Sequence, residues 1–276
     1  MEISLPVTLA VLGAALLHAS WNVLVKSGAD KELETINVAV GSGLVALIAA
    51  FFLPAPARAS WPWLGGSAVV HILYFMFLAG AYRFGDLSYT YPVMRGGGPM
   101  IVAIVGALAL GEVLPLAETF GVLLICAGIF AFASGKHDRR ATWFAVGNAL
   151  VIAAYTLIDA QGARSSDAPV SYTLWFFAAN GVVIFIYGLL RRGAAVPAHL
   201  KSSWLRALIG GSCAIGAYGI ALWAMTRAPV ALVAVLRETS VVFAAIIAWL
   251  VLHEKLTRRR LLATGAVLAG LIVLKL

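Results

Sequence analysis

Charged residues are scarce in this sequence. Asp, Glu, Lys and Arg make up 12% of its 276 residues, whereas hydrophobic residues make up 62%. A water-soluble domain of this length needs more polar surface than so few charged residues supply. The composition therefore excludes an ordinary soluble protein and predicts an integral membrane protein.

Cysteines and the common catalytic motifs are scarce as well. The two cysteines, Cys126 and Cys213, lie within apolar stretches and are predicted to be packing residues, not a disulfide or a metal site. The sequence contains no HExxH, no CxxC pair, no glycine-rich phosphate loop after a strand and no Ser-His-Asp set at a shared depth. No metal, cofactor or covalent chemistry is predicted, and an intramembrane enzyme acting on lipid-linked substrates is kept only as an alternative.

What the sequence does contain is a succession of apolar segments. Each is long enough to cross the roughly 30 Å hydrocarbon core of a bilayer as an α-helix. The predicted spans cover residues 4–25, 35–53, 62–82, 87–110, 114–134, 142–161, 169–190, 204–225, 229–252 and 257–275. The predicted fold class is an all-α membrane protein with ten transmembrane helices, and no connection is long enough for a soluble domain.

The basic residues predict the orientation of the chain. Although the net charge is +8, these residues lie between apolar spans and do not form a nucleic-acid-binding face. Odd-numbered connections hold Lys26, Lys31, Arg83 and the basic residues of 136–140, 191–206 and 255–260, whereas even ones hold Arg58, Arg164 and Arg227, with Lys275 at the C-terminus. The positive-inside rule therefore places the odd connections in the cytoplasm and both termini outside an inner membrane. Because the first span follows Glu2 and no basic residue, a cleavable signal peptide is not expected. The run Arg258 to Arg260 is predicted to be a cytoplasmic anchor that meets anionic lipid.

The sequence also contains an internal repeat. A shift of 142 positions aligns VMRGGGPMIVAIVGALALGEVL with VLRETSVVFAAIIAWLVLHEKL without gaps and matches Arg95 with Arg237 and Glu112 with Glu254. Charged residues are rare inside membrane spans, so these matches carry more weight than apolar ones. They predict two five-helix halves, residues 1–135 and 140–276. Five is an odd number, so the second half is inverted, as in secondary transporters that bind substrate near the midplane.

These residues resemble the drug/metabolite transporter superfamily, specifically its ten-helix EamA-type members. The resemblance rests on the fourth helix of each half, which ends in LALGEVLP or LVLHEKLT, and on the nearly full-length fit to ten spans. His253 is a departure, since the family more often has glycine before this glutamate. The resemblance implies a transporter, not an enzyme, that exports small organic metabolites such as amino acids, aromatic ones among them.

The stretch YPVMRGGGPM places an arginine deep in the fourth predicted span. Gly96, Gly97 and Gly98 weaken the helix, and Pro99 removes a hydrogen bond to the carbonyl of Arg95, so a kink or a short unwound segment is predicted there. Arg95 is predicted to bind a substrate carboxylate, with this segment in a gating or polar network. The alternative is a structural arginine beside glycines that let helices approach each other.

The second copy of this segment is different. Arg237 is followed by Glu238, Thr239 and Ser240, without a glycine run or proline. Arg237 and Glu238 are predicted to belong to a polar network or gate in which Glu238 partly neutralises Arg237. A plain structural role is the alternative.

Polar and aromatic residues on two other helices complete the predicted substrate site. The first helix carries His18, Trp21 and Asn22, and His18 and Asn22 share one face. The third helix carries His71 and Tyr74, three residues apart and therefore neighbours. Polar atoms within hydrocarbon need a partner or water, so cavity lining is predicted for these side chains, with ordinary packing or an interfacial position for Trp21 as the alternatives.

The sixth helix contributes Tyr155 and Asp159, four residues apart and on one face. Tyr155 is predicted to contact substrate. Asp159 is assigned to the polar network, with a solvated position near the outer end as the favoured interpretation and a proton-coupling carboxylate as the alternative. Glu112 and Glu254 are predicted to stabilise the start of the helix that follows each of them.

The sequence therefore predicts a monomeric secondary transporter that contacts membrane lipids and moves a small organic molecule outward by alternating access. An amino acid is the leading cargo, because Arg95 suits anionic or zwitterionic molecules. An exporter of cations would prefer an intramembrane acid. A multidrug exporter, an importer and a channel are further alternatives.

Overall fold

The computed structural model describes residues 3–252 and 258–274, which are largely α-helical. The helices are α1 (Leu5–Ser27), α2 (Lys31–Ala50), α3 (Trp61–Phe84), α4 (Leu87–Ala109), α5 (Leu116–Phe130), α6 (Arg139–Arg164), α7 (Pro169–Arg192), α8 (Ala195–Ser202), α9 (Trp204–Met225), α10 (Val230–Arg237), α11 (Ser240–Leu252) and α12 (Arg258–Val273). Among the described residues, extended pairing is confined to one bridge between Gly85 and His137.

The lengths and surfaces of these helices identify an integral membrane protein. Within the described ranges, 8 helical stretches are long and apolar enough to cross a membrane, and one of them, Val230–Ile247, combines α10 with part of α11. Leu116–Phe130 and Leu261–Val273 are shorter apolar helices. Large apolar side chains point outward, including Phe51, Leu108 and Leu190, each more than 80% exposed. Such a surface is stable against lipid and not against water.

Short connecting segments set where the helices begin and end. The Asp30 carboxylate accepts a hydrogen bond from the Leu33 amide (3.0 Å) and caps α2, and that of Asp138 accepts one from Ala141 (2.8 Å) and caps α6. Gly193 follows α7 with a φ of 54°, a conformation that favours glycine.

Glycines bring α2 close to two neighbouring helices. A Cβ atom at Gly41 would lie 2.1 Å from the carbonyl oxygen of Ala207 in α9. A Cβ atom at Gly43 would lie 2.7 Å from the Cα atom of Gly181 in α7. The three backbones pack at distances that a side chain at these positions would prevent.

The glycine run of α4 packs against α6. A Cβ atom at Gly97 would lie 2.9 Å from the Ala149 Cβ, and one at Gly98 would lie 2.7 Å from the Ile152 Cγ2. Helix α4 continues without interruption across these residues and Pro99, so the prediction of an unwound segment is wrong. The close contact with α6 supports the helix on both sides of the proline.

The interruption occurs instead in the second copy. Helix α10 ends at Arg237 and α11 begins at Ser240. The Thr239 hydroxyl donates to the carbonyl of Leu236 (2.7 Å), the kind of side-chain bond that competes with helical pairing. Because Val230 to Leu236 are all buried, α10 lies in the core of the protein.

The connections between predicted spans form two groups of contacts. Odd-numbered connections contact each other through Arg192 with Asp30 and Glu32, and through the Asp86 amide with the Lys136 carbonyl (3.0 Å). At the same end, Arg259 Nε in the first turn of α12 donates to the Ala131 carbonyl at the end of α5 (2.8 Å). The even-numbered connections that contain Ala57 and Ser166 are joined by a backbone hydrogen bond of 3.0 Å. Odd and even connections thus gather at separate ends of the helices.

Glu112 joins three even-numbered connections. Its Oε1 atom accepts from Arg164 (2.6 Å), and its Oε2 atom accepts from the Val230 amide at the first residue of α10 (2.7 Å). The predicted stabilisation of a helix start is therefore present, but for α10 and not for the helix that follows Glu112. His253, Glu254, Lys255 and Lys275 lie outside the described residues.

Candidate functional site

Arg95 and Glu238 form an ion pair between α4 and the end of α10. Arg95 Nε donates to Glu238 Oε2 at 3.0 Å, and Nη2 lies 2.9 Å from Oε1. The side chains are only 13% and 6% exposed. The sequence predicted that Glu238 would neutralise its neighbour Arg237, but consecutive helical residues point in different directions and Glu238 pairs with Arg95. One partner comes from each predicted half of the chain.

Aromatic side chains surround this ion pair. Tyr74, Tyr91 and Tyr155 all lie within electrostatic range of the Arg95 guanidinium, and so does His18. All four are half-buried, so they border accessible space and are not covered by protein on every side. The structure thus brings together His18, Tyr74, Tyr155 and Arg95, which the sequence placed in one site from four separate helices.

His71 extends the cluster on α3. Its ring centroid lies 4.5 Å from that of Tyr155 and 6.3 Å from that of Tyr74. The Nδ1 atom of His71 lies 2.9 Å from the Ser67 carbonyl oxygen. The contact with Tyr155 joins the predicted residues of α3 and α6.

The α1 side of the site holds Trp21 and Asn22. Trp21 packs edge-on against His18, with ring centroids 5.2 Å apart. Its Nε1 atom is buried and has no hydrogen-bond acceptor within the described part of the chain. Asn22, in contrast, donates its side-chain amide to the His18 carbonyl (2.7 Å), within the same helix. Trp21 therefore offers a donor to a bound molecule, whereas the Asn22 nitrogen is already bonded.

Asp159 lies deeper in the protein than the interpretation favoured from the sequence placed it. Its exposed fraction is 0%, so a solvated position at the outer end is wrong. Oδ1 accepts from the Tyr172 hydroxyl (3.0 Å) and Oδ2 from the Tyr218 hydroxyl (2.5 Å). The acid is held by neutral donors from α7 and α9.

Arg237 connects this acid with the central ion pair. Its guanidinium carbon lies 5.1 Å from the centroid of the Tyr218 ring, over the face of the tyrosine that bonds Asp159. Arg237 is also the residue immediately before Glu238. The predicted polar network is therefore continuous from Asp159 through Tyr218 to the end of α10.

The chemical character of the site follows from these groups. A guanidinium and a carboxylate lie side by side, with aromatic rings around them and a free indole donor near by. Among the described residues, no three His, Cys, Asp or Glu side chains are placed to hold a metal ion. The arrangement suits a molecule with one anionic group, one cationic group and an apolar part.

Several residues of this cluster were not singled out by the sequence. Tyr91 and Tyr172 were not considered, and the Arg95–Glu238 pair was not foreseen. A further alignment of the sequence with itself carries some of this information: a shift of 134 positions matches Gly13, Ala15, Ala19 and Gly28 with Gly147, Ala149, Ala153 and Gly162. It places Trp21 opposite Tyr155, and both lie in the site.

Comparisons with known proteins bear on the family and the fold. The sequence pattern of the EamA-like transporter family matches residues 139–276. The multidrug resistance protein EbrB of Bacillus atrophaeus is 33% identical over 81 residues, which are 29% of this chain and 68% of the relative. The protein of the same name from Bacillus subtilis (strain 168) is 34% identical over 86 residues, 30% of this chain and 73% of the relative. One solved structure, described only as a protein crystal structure, is similar with a TM-score of 0.75 over 98% of both chains at 19% identity, which bears on the fold alone.

Proposed function

Because the chain belongs to the EamA-like transporter family, we propose that it exports a small zwitterionic metabolite by alternating access. The leading cargo is an amino acid, and an aromatic one fits the site best. The membership agrees with the resemblance to the drug/metabolite transporter superfamily found in the sequence.

The observation that carries this proposal is the Arg95–Glu238 ion pair. An amino acid has a carboxylate and an ammonium group on neighbouring atoms, which complement a guanidinium and a carboxylate that lie 2.9 Å apart. The cargo carboxylate would bind Arg95 through two hydrogen bonds, and its ammonium group would bind Glu238. Tyr74, Tyr155 and Trp21 would contact the side chain, with the Trp21 indole N–H as an additional donor.

Cargo binding at this pair would couple to the movement of the halves. Removing one partner of a buried ion pair costs about 3–5 kcal/mol, because the other charge is left unpaired. A zwitterion supplies both missing partners when Arg95 and Glu238 separate, and it offsets that cost. A molecule with only one charge would leave one residue of the pair unsatisfied, which favours zwitterions over simple anions or cations.

Helix contacts support the ten-helix inverted repeat that alternating access requires. Helix α6 packs against α3 and α4, and α1 correspondingly packs against α9, α10 and α11. A Cβ atom at Gly121 would lie 3.0 Å from the Gly270 carbonyl oxygen, and one at Gly128 would lie 3.1 Å from that of Ala263. The shift of 142 positions converts each of these two contacts into the other, as expected for halves related by a two-fold axis.

One pair of interfaces breaks this symmetry. Helix α2 packs closely along α9, whereas its counterpart α7 makes few contacts with α3. The closed interface carries Glu34, which pairs with Arg206 (3.0 Å) and lies 3.6 Å from His199. With the topology predicted from the basic residues, this end faces the cytoplasm, so α2 and α9 would have to separate there for cargo to enter from the inside.

The location, orientation and oligomeric state proposed for the protein are those predicted from the sequence. The protein would lie in the inner membrane with both termini outside, function as a monomer, and meet lipid through its apolar outer face. The first and second halves would each contribute one charge to the site, so a single chain contains the complete central ion pair.

Export of organic cations is a second candidate, and two observations favour it. The two Bacillus relatives described above are named as multidrug resistance proteins. The site also contains two buried acids, Asp159 and Glu238, which would attract a cation. Arg95 opposes this candidate, because the guanidinium already neutralises Glu238.

Counterflow into liposomes that contain the purified protein tests the proposal. Labelled phenylalanine is compared with labelled tetraphenylphosphonium and a labelled sugar, each against an excess of the same unlabelled compound inside. Saturable counterflow of phenylalanine that Arg95→Ala removes is expected. Counterflow of tetraphenylphosphonium alone would establish the second candidate, and flux of neither compound in correctly folded protein would refute both.

A further inference from the structure

We propose that the Asp159 carboxylate, held by Tyr172 and Tyr218, is an intramembrane proton-binding site that couples transport to the proton gradient. The proposal rests on the transport function above, but it concerns a different group from the ion pair that binds cargo. It assigns the coupling between the transport cycle and the proton gradient to one side chain.

The surroundings of Asp159 are unusual for a carboxylate. Its side chain has no exposed surface, and among the described residues no Lys, Arg or His forms an ion pair with it. Neutral tyrosine hydroxyls donate hydrogen bonds to both of its oxygens, at 3.0 Å and 2.5 Å. An acid inside a membrane that forms no ion pair is costly to keep charged, so taking up a proton is its simplest neutralisation.

The ionisable groups around Asp159 come from every helix near it. His71 on α3 is the basic side chain that acts on it most directly, and Ser67 lies beside it. Tyr155 is on α6 itself, and Tyr172 and Tyr218 are on α7 and α9. Tyr155 in turn lies within electrostatic range of Arg95, Arg237 and Glu238. Arg58, on the turn before α3, is exposed.

A proton can reach Asp159 through Tyr218. Asp159 is fully buried, whereas Tyr218 is half-buried and so borders accessible space. In the inward step, the Tyr218 hydroxyl passes its proton to Oδ2 of the carboxylate and takes another from a hydronium ion, which becomes water. The reverse transfer returns the proton to water on the other side after the halves have moved. One O–H bond forms and one breaks in each transfer, so no further reactant is needed.

Protonation of Asp159 changes the hydrogen bonds that lead to the cargo site. The charged carboxylate accepts from Tyr218, but the neutral acid carries a proton of its own and can donate to that hydroxyl. The Tyr218 ring lies under Arg237, and Arg237 precedes the residue that pairs with Arg95. A change at Asp159 is thus transmitted through two contacts to the break between α10 and α11.

The experiment measures uptake into liposomes with and without a pH gradient of one unit. The labelled compound is phenylalanine, or tetraphenylphosphonium if tetraphenylphosphonium alone shows counterflow. Exchange against one proton supports about tenfold accumulation per pH unit. Asp159→Asn should abolish this gradient-driven accumulation, and Asp159→Glu should restore part of it. The matched control is Asp167→Asn, an exposed acid beyond the end of α6, which should accumulate cargo as the wild type does.

Infrared spectroscopy of the protein in detergent tests the same site without cargo. On acidification, the protonated-carboxyl band of the wild type should exceed that of Asp159→Asn by the contribution of one carboxyl group, provided that size-exclusion profiles match. Gradient-driven accumulation by Asp159→Asn, or an unchanged carboxyl band in that variant, would overturn the proposal. If neither compound shows counterflow, the proposed function fails and the infrared titration alone decides the proton site.

Discussion

The two residues of the central ion pair are each expected to depend on the other. Arg95→Met leaves Glu238 buried without a partner, so the free energy of unfolding should fall by about 3–5 kcal/mol. Arg95→Met combined with Glu238→Met removes both charges and should recover most of that loss, because apolar residues of similar size replace buried pairs well. Thermal unfolding in detergent measures both effects.

Transport separates the role of this pair in binding from its role in stability. The double variant should be stable but inactive in phenylalanine counterflow, because neither end of a zwitterion finds its partner. Arg237→Met is the matched control for stability, because Arg237 aligns with Arg95 in the repeat but stacks on the Tyr218 ring. Loss of such a cation–π contact should lower the free energy of unfolding by only about 0.5–2 kcal/mol. A double variant with the wild-type rate would refute the role of the pair.

The residues of the site could be predicted from the sequence better than their partners. Arg95, His18 and Tyr155 stood out because polar groups are costly in an apolar span. Their helical spacing also predicted correctly that Tyr155 and Asp159 share a face. Which acid pairs with Arg95 depends on how α4 and α10 cross, and the depth of Asp159 depends on α7 and α9 covering it. Neither is a property of any single segment.

At the level of helices, the contact between α4 and α6 should limit the size of residue 97. Gly97→Leu places a side chain where a Cβ atom alone would lie 2.9 Å from Ala149, so α4 and α6 must separate. Overpacking of this kind costs about 1–3 kcal/mol, and counterflow should fall with the unfolding temperature.

A matched control separates packing from a general effect of leucine. Gly65→Leu on α3 introduces the same side chain at an exposed position with no atom within 4 Å of the added Cβ. Its unfolding temperature should stay close to that of the wild type. Equal behaviour of the two variants would show that the approach of α4 to α6 does not need a glycine.

Among the described residues, the 8 helical stretches of membrane length were predictable because long apolar segments are clear patterns. The interruption was not: the sequence pointed to Gly96–Pro99, but α4 is continuous and the break lies at Glu238 and Thr239. Glycine and proline weaken a helix only when nothing else supports it, and α6 supports α4. A threonine at position 239 does not by itself predict a break, because the hydrogen bond of its hydroxyl to a backbone carbonyl also occurs in unbroken helices.

The ion pair between Arg192 at the end of α7 and Asp30 at the start of α2 gives a prediction about pH. The Leu33 amide, and after it Arg192, lower the pKa of Asp30 below its ordinary value. The stabilisation from Asp30 is therefore complete above its unfolded pKa of about 3.9 and is lost as the pH falls through the lower folded value. On acidification from pH 6 to pH 3, the unfolding temperature should decrease more in the wild type than in Asp30→Asn. Equal decreases in the two proteins would rule out this contribution.

At the scale of the whole molecule, the two groups of connections should lie on opposite sides of the membrane. In a background of Cys126→Ala and Cys213→Ala, a cysteine at Ser202 tests an odd connection, and one at Asp167 tests an even connection. A membrane-impermeant maleimide added to intact cells should label Asp167→Cys and not Ser202→Cys. The opposite pattern would invert the orientation and would place the contact between α2 and α9 on the outer side.

The contact between Gly43 and Gly181 has a mechanical consequence. A Cβ atom at Gly43 would meet the Phe177 carbonyl oxygen, and one at Gly181 would meet that of Ala39, so a shift of 138 positions maps this crossing onto itself. If the two halves exchange conformations, most interfaces must break and form again, but a crossing that is its own image keeps the same contacts in both states. Helices α2 and α7 would then rotate relative to each other about this crossing. The backbone contact between the two glycines would stay in place while the rest of the protein moves.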